Sequence, residues 1–110
     1  MTDTSSISVA GPAVTLMNIF TVAEVRQGEL IEALDKGLAE IFAHQPGFVS
    51  ANIHASLDRT RVVNYMQWAT QEDFEAMQCR RDVQDYMQQI ITIASSADPR
   101  LYTVRAVYHA

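Results

Sequence analysis

The chain has few of the residues that crosslink proteins or bind metals and phosphates. With one cysteine, Cys79, among 110 residues, it cannot form an internal disulfide. Its histidines, His44, His54 and His109, lack the spacing of a metal-binding motif. Its four glycines are scattered and form no phosphate-binding loop. The sequence therefore excludes a disulfide scaffold and predicts neither a metal nor a cofactor.

Basic residues and long apolar runs are also scarce. Eight Lys and Arg against 13 Asp and Glu give a formal net charge of −5. An acidic chain without a basic stripe disfavours nucleic acid and anionic membranes as partners. No apolar run approaches the roughly 20 residues that cross a bilayer, and the first residues lack the features of a signal peptide. We expect a cytoplasmic protein that binds neither nucleic acid nor membrane.

The length and the hydrophobic content, 48%, suit one domain with a real core. Residues 1–12 are rich in Ser and Thr and predict a flexible arm, which leaves 13–110 as the domain. The apolar periodicities predict strands at 13–22, 48–57, 61–68 and 101–108, and helices at 24–44, 71–78 and 81–94. Thr70 is expected to cap the second helix, assisted by Asp73.

This order of elements, β-α-β-β-α-β, is typical of an α+β, ferredoxin-like fold. Right-handed crossovers place the helices on one face of a four-stranded antiparallel sheet. The other face has semi-apolar positions, including Val63, Tyr65, Met17 and Ile19, and such a face usually meets a partner. Two sheets packed face to face would form a dimeric α/β barrel, so we expect a homodimer.

Two asparagines are the first candidates for chemistry. Strand alternation places Asn18 with Leu16 and Phe20, and Asn64 with Val62, on the side that faces the helices. Buried amides are costly unless they are paired, and a few fixed polar groups among apolar ones are typical of small-ligand sites. The alternative is that each amide bonds a backbone group or a buried water.

The stretch from residue 45 to 68, QPGFVSANIHASLDRTRVVNYMQW, resembles the antibiotic biosynthesis monooxygenase family, and the resemblance extends over about residues 14–107. His54-Ala55-Ser56, Asn64-Tyr65 and Gln67-Trp68 are similar to the branch of cofactor-free oxygenases that convert aromatic polyketide anthrones into quinones. The resemblance implies a homodimeric α/β barrel that uses O2 and a small aromatic substrate without a cofactor.

The same resemblance assigns roles to individual residues. It maps the branch's reactive asparagine and tryptophan onto Asn64 and Trp68, which would donate hydrogen bonds to an enolate oxygen. The family's hairpin histidine maps onto His54, a candidate proton acceptor by its pKa range. Strand alternation also allows His54 to lie on the opposite face, at the hairpin or the dimer interface. The expected substrate-binding residues are Asn18, Phe20, Met66, Phe74, Tyr86 and Met87.

The sequence departs from the family pattern at two positions. Phe74 stands where the family has a tyrosine, and the family's helix arginine matches Gln88. Tyr86 could supply the lost hydroxyl, although Tyr86 and Met87 are also ordinary core residues.

Two other functions therefore stay open. A non-catalytic ligand-binding or dimerisation module of the same fold is one. A heme-degrading monooxygenase is the other; Asn18 suits it, but no histidine occurs between His54 and His109.

Overall fold

The computed structural model describes residues 3–9 and 13–110 and confirms the ferredoxin-like arrangement. The strands are β1, Val14–Thr21; β2, Phe48–Ala55; β3, Arg61–Trp68; and β4, Ser96–Tyr102. The helices are α1, Gln27–Glu40; α2, Gln71–Gln78; and α3, Arg81–Ile90, with short 3-10 turns at Glu24–Arg26 and Phe42–His44. None of the helices within the described ranges could span a membrane.

The four strands form one antiparallel sheet in the order β2-β3-β1-β4. In the central pair, Asn18 lies directly opposite Asn64. Ile53 of β2 and Pro99 of β4 continue this row on either side. Because side chains one position apart point to opposite faces, this register fixes which residues face the helices.

The core lies between the sheet and the helices. Its fully buried side chains come from both layers and are Trp68, Phe20, Leu30, Leu34, Ile90 and Val62. Each apolar side chain of this size contributes roughly 1.5–3 kcal/mol on burial. Thr70 caps α2 as predicted, because its Oγ1 accepts a hydrogen bond from the backbone N–H of Asp73 at 3.1 Å.

The predicted position of the last strand, 101–108, is wrong: the strand begins five residues earlier. Pro99 has no N–H and suggested a break, but β4 is an edge strand, where a proline is tolerated. The pairing of β4 with β1 runs from Ser96 opposite Thr21 to Tyr102 opposite Thr15. Residues 103–110 run beyond that ladder and have no regular secondary structure. The helix predicted at 81–94 also ends early, at Ile90.

The N-terminal segment 3–9 lies against the face of the sheet that is turned away from the helices. Ser5 Oγ donates to Asn52 Oδ1 at 2.9 Å, and Gln67 Nε2 donates to the carbonyl of Ser6 at 2.9 Å. The segment has no regular secondary structure, but these bonds hold it to β2 and β3. Residues 1, 2 and 10–12 of the predicted arm lie outside the described residues.

Candidate active site

A cavity of about 120 Å³ lies between the sheet and the helices, with the two asparagines in its wall. Asn18 and Asn64 are 6% and 5% exposed and stand side by side on β1 and β3. The other lining residues are almost all apolar and come from every helix and from three strands. They are Leu16, Phe20, Leu34, Phe42, Met66, Phe74, Met77, Gln78, Val83, Tyr86, Met87 and Pro99.

Both asparagines carry an unpaired buried atom. The Oδ1 atoms of Asn18 and Asn64 have no hydrogen-bond partner among the described residues, although the two side chains are neighbours. An unsatisfied buried polar group costs about 1–3 kcal/mol. Bonding to the backbone, the alternative considered for these amides, is not observed for either oxygen. The cavity therefore offers two fixed polar groups to a ligand.

Trp68 carries a third unpaired atom but lies outside the cavity lining. Its ring is fully buried between Phe48 and Phe74, with ring-centre distances of 5.7 and 6.5 Å and near-perpendicular planes. Its Nε1 has no hydrogen-bond partner within residues 3–9 and 13–110. Phe74 lines the cavity and packs on Trp68, so Trp68 supports the wall from behind.

Tyr86 lines the cavity with its ring and turns its hydroxyl to α1. The hydroxyl donates to the carbonyl of Ala33 at 3.3 Å, and the ring meets Phe42 edge to face at 5.4 Å. The ring also lies directly over Gly37, where any side chain would collide with it. Burial raises the pKa of Tyr86 well above its ordinary range, which keeps the phenol neutral.

The structure brings most of the predicted site residues together. The cavity wall contains Asn64 and all six expected substrate-binding residues, including Phe20, Met66 and Met87. His54 is not among them. It lies opposite Val63 on the other face of the sheet and is exposed, because alternation along β2 turns Ile53 toward the helices and His54 away from them.

Several lining residues were not among the expected substrate-binding residues. Leu16 was placed with Asn18 by strand alternation but was not assigned to the site. Pro99 was missed because the last strand was placed too late. Gln78 ends α2, and its arrival at the cavity depends on the angle between α2 and α3, which no sequence pattern reports.

The cavity is electrically neutral. Its lining, taken over the described residues, contains no Asp, Glu, Lys, Arg or His. The two arginines nearest α2 are exposed and paired: Arg80 Nε lies 3.1 Å from Asp82 Oδ1, and Arg81 Nε lies 3.3 Å from Asp85 Oδ1. The family's helix arginine thus has no counterpart in the wall. The carboxamides are the polar side-chain groups that remain for a ligand, because the Tyr86 hydroxyl already donates to Ala33.

The fold and the site define a small ferredoxin-like domain with a buried, uncharged ligand cavity. Residues 13–89 match the family of antibiotic biosynthesis monooxygenases, and the chain belongs to that family. The resemblance found in the sequence is thereby confirmed.

Individual relatives extend this comparison. The chain is 44% identical over 73 residues to the tetracenomycin-F1 monooxygenase of Streptomyces glaucescens, a match that spans 66% of this chain and 65% of that protein. Its fold matches SnoaB, a cofactor-independent oxygenase from Streptomyces nogalater, with a TM-score of 0.80 at 23% identity, covering 88% of this chain and 97% of SnoaB. An anthrone oxidase-like protein gives a TM-score of 0.81 at 25% identity, covering 88% of this chain and 41% of that protein.

Proposed function

We propose that the chain is a cofactor-independent monooxygenase that uses O2 to oxidise an aromatic polyketide phenol or anthrone to a quinone. The observation that carries the proposal is the pair of buried carboxamides, Asn18 and Asn64, whose Oδ1 atoms are unpaired in an uncharged, mostly apolar cavity. The relatives named above, a tetracenomycin-F1 monooxygenase and an anthrone oxidase-like protein, support the reaction type and the substrate class.

The proposed reaction needs little from the protein beyond a dry, polarised surface. The benzylic C–H of an anthrone is acidic because the carbanion is an aromatic enolate. This carbanion gives one electron to O2, and the two radicals combine to a hydroperoxide. Loss of water then leaves the carbonyl of the quinone, so that one O2 replaces two hydrogens by one oxygen and forms one water. The substrate itself is the reductant.

Asn64, onto which the resemblance maps the reactive asparagine, is the proposed donor to the enolate. Its amide N–H can donate to the developing oxyanion, and a donor fixed in a low-dielectric cavity loses no reorganisation energy during the reaction. Asn18, directly opposite, offers a second amide to the same oxygen or to the hydroperoxide. Phe20 and Phe74 supply aromatic contacts to the flat rings.

The cavity must enlarge to admit such a substrate. Its volume, about 120 Å³, is below the roughly 300 Å³ at which sites for drug-sized ligands begin. Met66, Met77 and Met87 line it, and methionine side chains change rotamer at low cost. We propose that these three side chains move aside when the rings enter.

The proton leaves by a route other than a buried base. Tyr86 is neutral and already donates to Ala33, and His54 lies on the other face. Gln78 and Pro99 are exposed and mark the open end of the cavity. We therefore propose that the benzylic proton of the substrate passes to water at that end. A catalytic role for His54 stays a prediction. The position of His54 on the other face of the sheet, within one chain, does not support that role.

The homodimer also belongs to this proposal. On the open face, Met17, Ile19, Val63 and Tyr65 are half-buried and form the apolar part that segment 3–9 leaves for a partner. A second copy is the natural occupant, since two such faces complete an α/β barrel. Tyr65→Asp should convert the dimer to monomer in sedimentation equilibrium. A wild type that sediments as a monomer would overturn this part.

The test of the reaction is oxygen uptake with a simple anthrone, using protein treated with a chelator and free of flavin absorbance. We expect O2 consumption that matches quinone formation and exceeds the spontaneous rate. Oxygen uptake at the spontaneous rate would contradict the proposal.

A non-catalytic ligand-binding module is the second candidate, favoured by the lack of an acidic, basic or histidine side chain in the described cavity wall. It predicts binding without oxygen uptake. The heme-degrading alternative is not proposed, because no histidine of the described chain reaches this wall.

A further inference from the structure

The polar groups of the cavity divide into two sets by depth. Asn18 and Asn64 are buried at its floor. Gln78 is exposed and lines the open end, beside Pro99 of the edge strand and the half-buried Met87. The phenol of Tyr86 is turned away to Ala33. A ligand that fills the cavity therefore meets two buried carboxamides and, where the lining becomes exposed, a third.

The backbone holds Gln78 in a fixed place at the end of α2. The N–H of Cys79 donates to the carbonyl of Ala76 at 3.3 Å, and that of Arg80 donates to the carbonyl of Met77 at 3.1 Å. The carbonyl of Gln78 itself receives Gln84 Nε2 at 3.5 Å. The Gln78 side chain makes no hydrogen bond to the rest of the described chain, so its amide is available to a ligand.

The charged neighbours of Gln78 do not compete for that ligand. Arg80 and Arg81 are each paired with an aspartate, Asp82 and Asp85. A carboxamide both donates and accepts but carries no charge. It can donate to a carbonyl or accept from a hydroxyl, and it cannot neutralise the charge of a carboxylate, a phosphate or an amine.

We propose that Gln78 is a specificity-determining residue that hydrogen-bonds an oxygen on the outer ring of the substrate. This inference rests on the proposed function and narrows its substrate class: a flat, uncharged polycycle with one oxygen function at the reacting ring and a second hydroxyl or carbonyl at the far end. With an unsubstituted ring at that end, the Gln78 side chain would hydrogen-bond only to water.

Binding of unreactive quinones tests this without turnover. The probes are anthraquinone and 2-hydroxyanthraquinone, which differ only in an outer hydroxyl. Binding is followed by the fluorescence of Trp68, the one tryptophan of the chain, which packs on the cavity-lining Phe74. We expect the wild type to bind the hydroxylated quinone about 2- to 10-fold more tightly, the range of one hydrogen bond.

Gln78→Leu should remove that preference while leaving the affinity for anthraquinone unchanged. Gln88→Leu is the matched control: Gln88 is also an exposed glutamine, lies on α3 and is outside the cavity lining, so this variant should keep the preference. In steady state, Gln78→Leu should raise KM for a hydroxylated anthrone and leave kcat unchanged.

The outcomes separate this inference from the reaction. A preference that survives Gln78→Leu overturns the role of Gln78, whatever the activity. Loss of the preference in Gln78→Leu, in a protein that consumes no O2, supports Gln78 and overturns the oxygenase. A wild type that binds neither quinone overturns both the outer contact and the substrate class.

Discussion

The two faces of the sheet each bury carboxamide side chains, and the hydrogen bonding of these side chains differs between the faces. Strand β3 places Asn64 on the helix face and Gln67, three residues later, on the open face, 5% and 9% exposed. Gln67 is fully engaged: its Nε2 donates to Ser6, and its Oε1 accepts from Ser50 Oγ at 3.1 Å. Asn64 Oδ1 has no partner among the described residues. The two amides are thus similarly buried, but Gln67 is hydrogen-bonded and the Oδ1 of Asn64 is not.

This difference supports a structural role for Gln67 and the proposed functional role for Asn64. A paired buried amide holds elements together, and on the open face Gln67 fastens segment 3–9 to the sheet. A buried amide with an unpaired oxygen lowers stability by about 1–3 kcal/mol and therefore calls for an explanation, such as the binding of a ligand. Burial alone would have assigned Asn64 and Gln67 the same role.

The largest effect is expected from Asn64. Asn64→Leu removes the proposed oxyanion donor and should lower turnover by about 10²-fold, as for other single donors. The same change replaces an unpaired polar group by an apolar one of similar size, so the free energy of unfolding should not fall. Oxygen uptake and urea unfolding measure the two quantities.

A variant with full activity would refute the donor role of Asn64. A variant that unfolds more easily than the wild type would break the comparison, because it would show that the amide is paired in solution. Asn18→Leu, directly opposite, serves as the companion variant.

A smaller effect is expected from Trp68, whose Nε1 is unpaired but lies behind Phe74. Trp68→Phe keeps an aromatic ring and removes the N–H. We expect turnover, measured by oxygen uptake, to fall by less than in Asn64→Leu, because Trp68 supports the cavity wall behind Phe74 without lining the cavity. A loss as large as that of Asn64→Leu would show that the N–H contacts the oxyanion directly. Unchanged turnover would leave Trp68 only its packing on Phe48 and Phe74.

Most of the fold could be predicted from the sequence because it depends on local periodicity. The strand at Arg61–Trp68 and the capped helix at Gln71–Gln78 were placed to the residue. The last strand was misplaced because its pairing is decided by β1, which is some 80 residues away in the chain. Segment 3–9 was expected to be flexible because it is rich in Ser and Thr. Its contacts with Asn52 and Gln67 are also long-range and leave no local signal in the sequence.

The candidate site could be predicted where strand alternation alone fixes the face on which a side chain lies. It could not be predicted where the packing of helices on the sheet fixes the position. Alternation alone placed Asn18 and Asn64 in one space and raised the doubt over His54, which the structure bears out geometrically. Gln78 could not be found, because its approach to the cavity is set by how α2 packs on the sheet. The lack of partners for Asn18 and Asn64 is likewise a property of the whole packed interior.

The open face offers the complementary test. Gln67→Leu removes the bonds to Ser6 and Ser50 and should lower the free energy of unfolding by about 1 kcal/mol, with oxygen uptake unchanged. Ser5→Ala, which removes only the bond to Asn52, should give a smaller loss. A Gln67→Leu variant of unchanged stability would show that segment 3–9 contributes nothing in solution and that the pairing of Gln67 is incidental.

The smallest effect concerns an exposed carboxylate that is hydrogen-bonded through one of its oxygens, Asp58 in the β2–β3 turn. Its Oδ1 accepts from the N–H and hydroxyl of Thr60 and from Ser56 Oγ, at 2.7–3.0 Å. The hydrogen bond from the Thr60 N–H, followed by those from the two hydroxyls, lowers the pKa of Asp58 from 3.8 to about 2. A lowered pKa means that the folded state favours the charged form. The contribution to stability is therefore complete above pH 3.8 and is lost as the pH falls through about 2.

Urea midpoints of the wild type and Asp58→Asn should differ slightly at pH 6 and converge as the pH approaches 2, with turnover at pH 7 equal in both. Midpoints that stay parallel down to pH 2 would show that the carboxylate gains nothing from this turn, and would leave Gln67 as the clearer example of a paired group that stabilises without acting in the reaction.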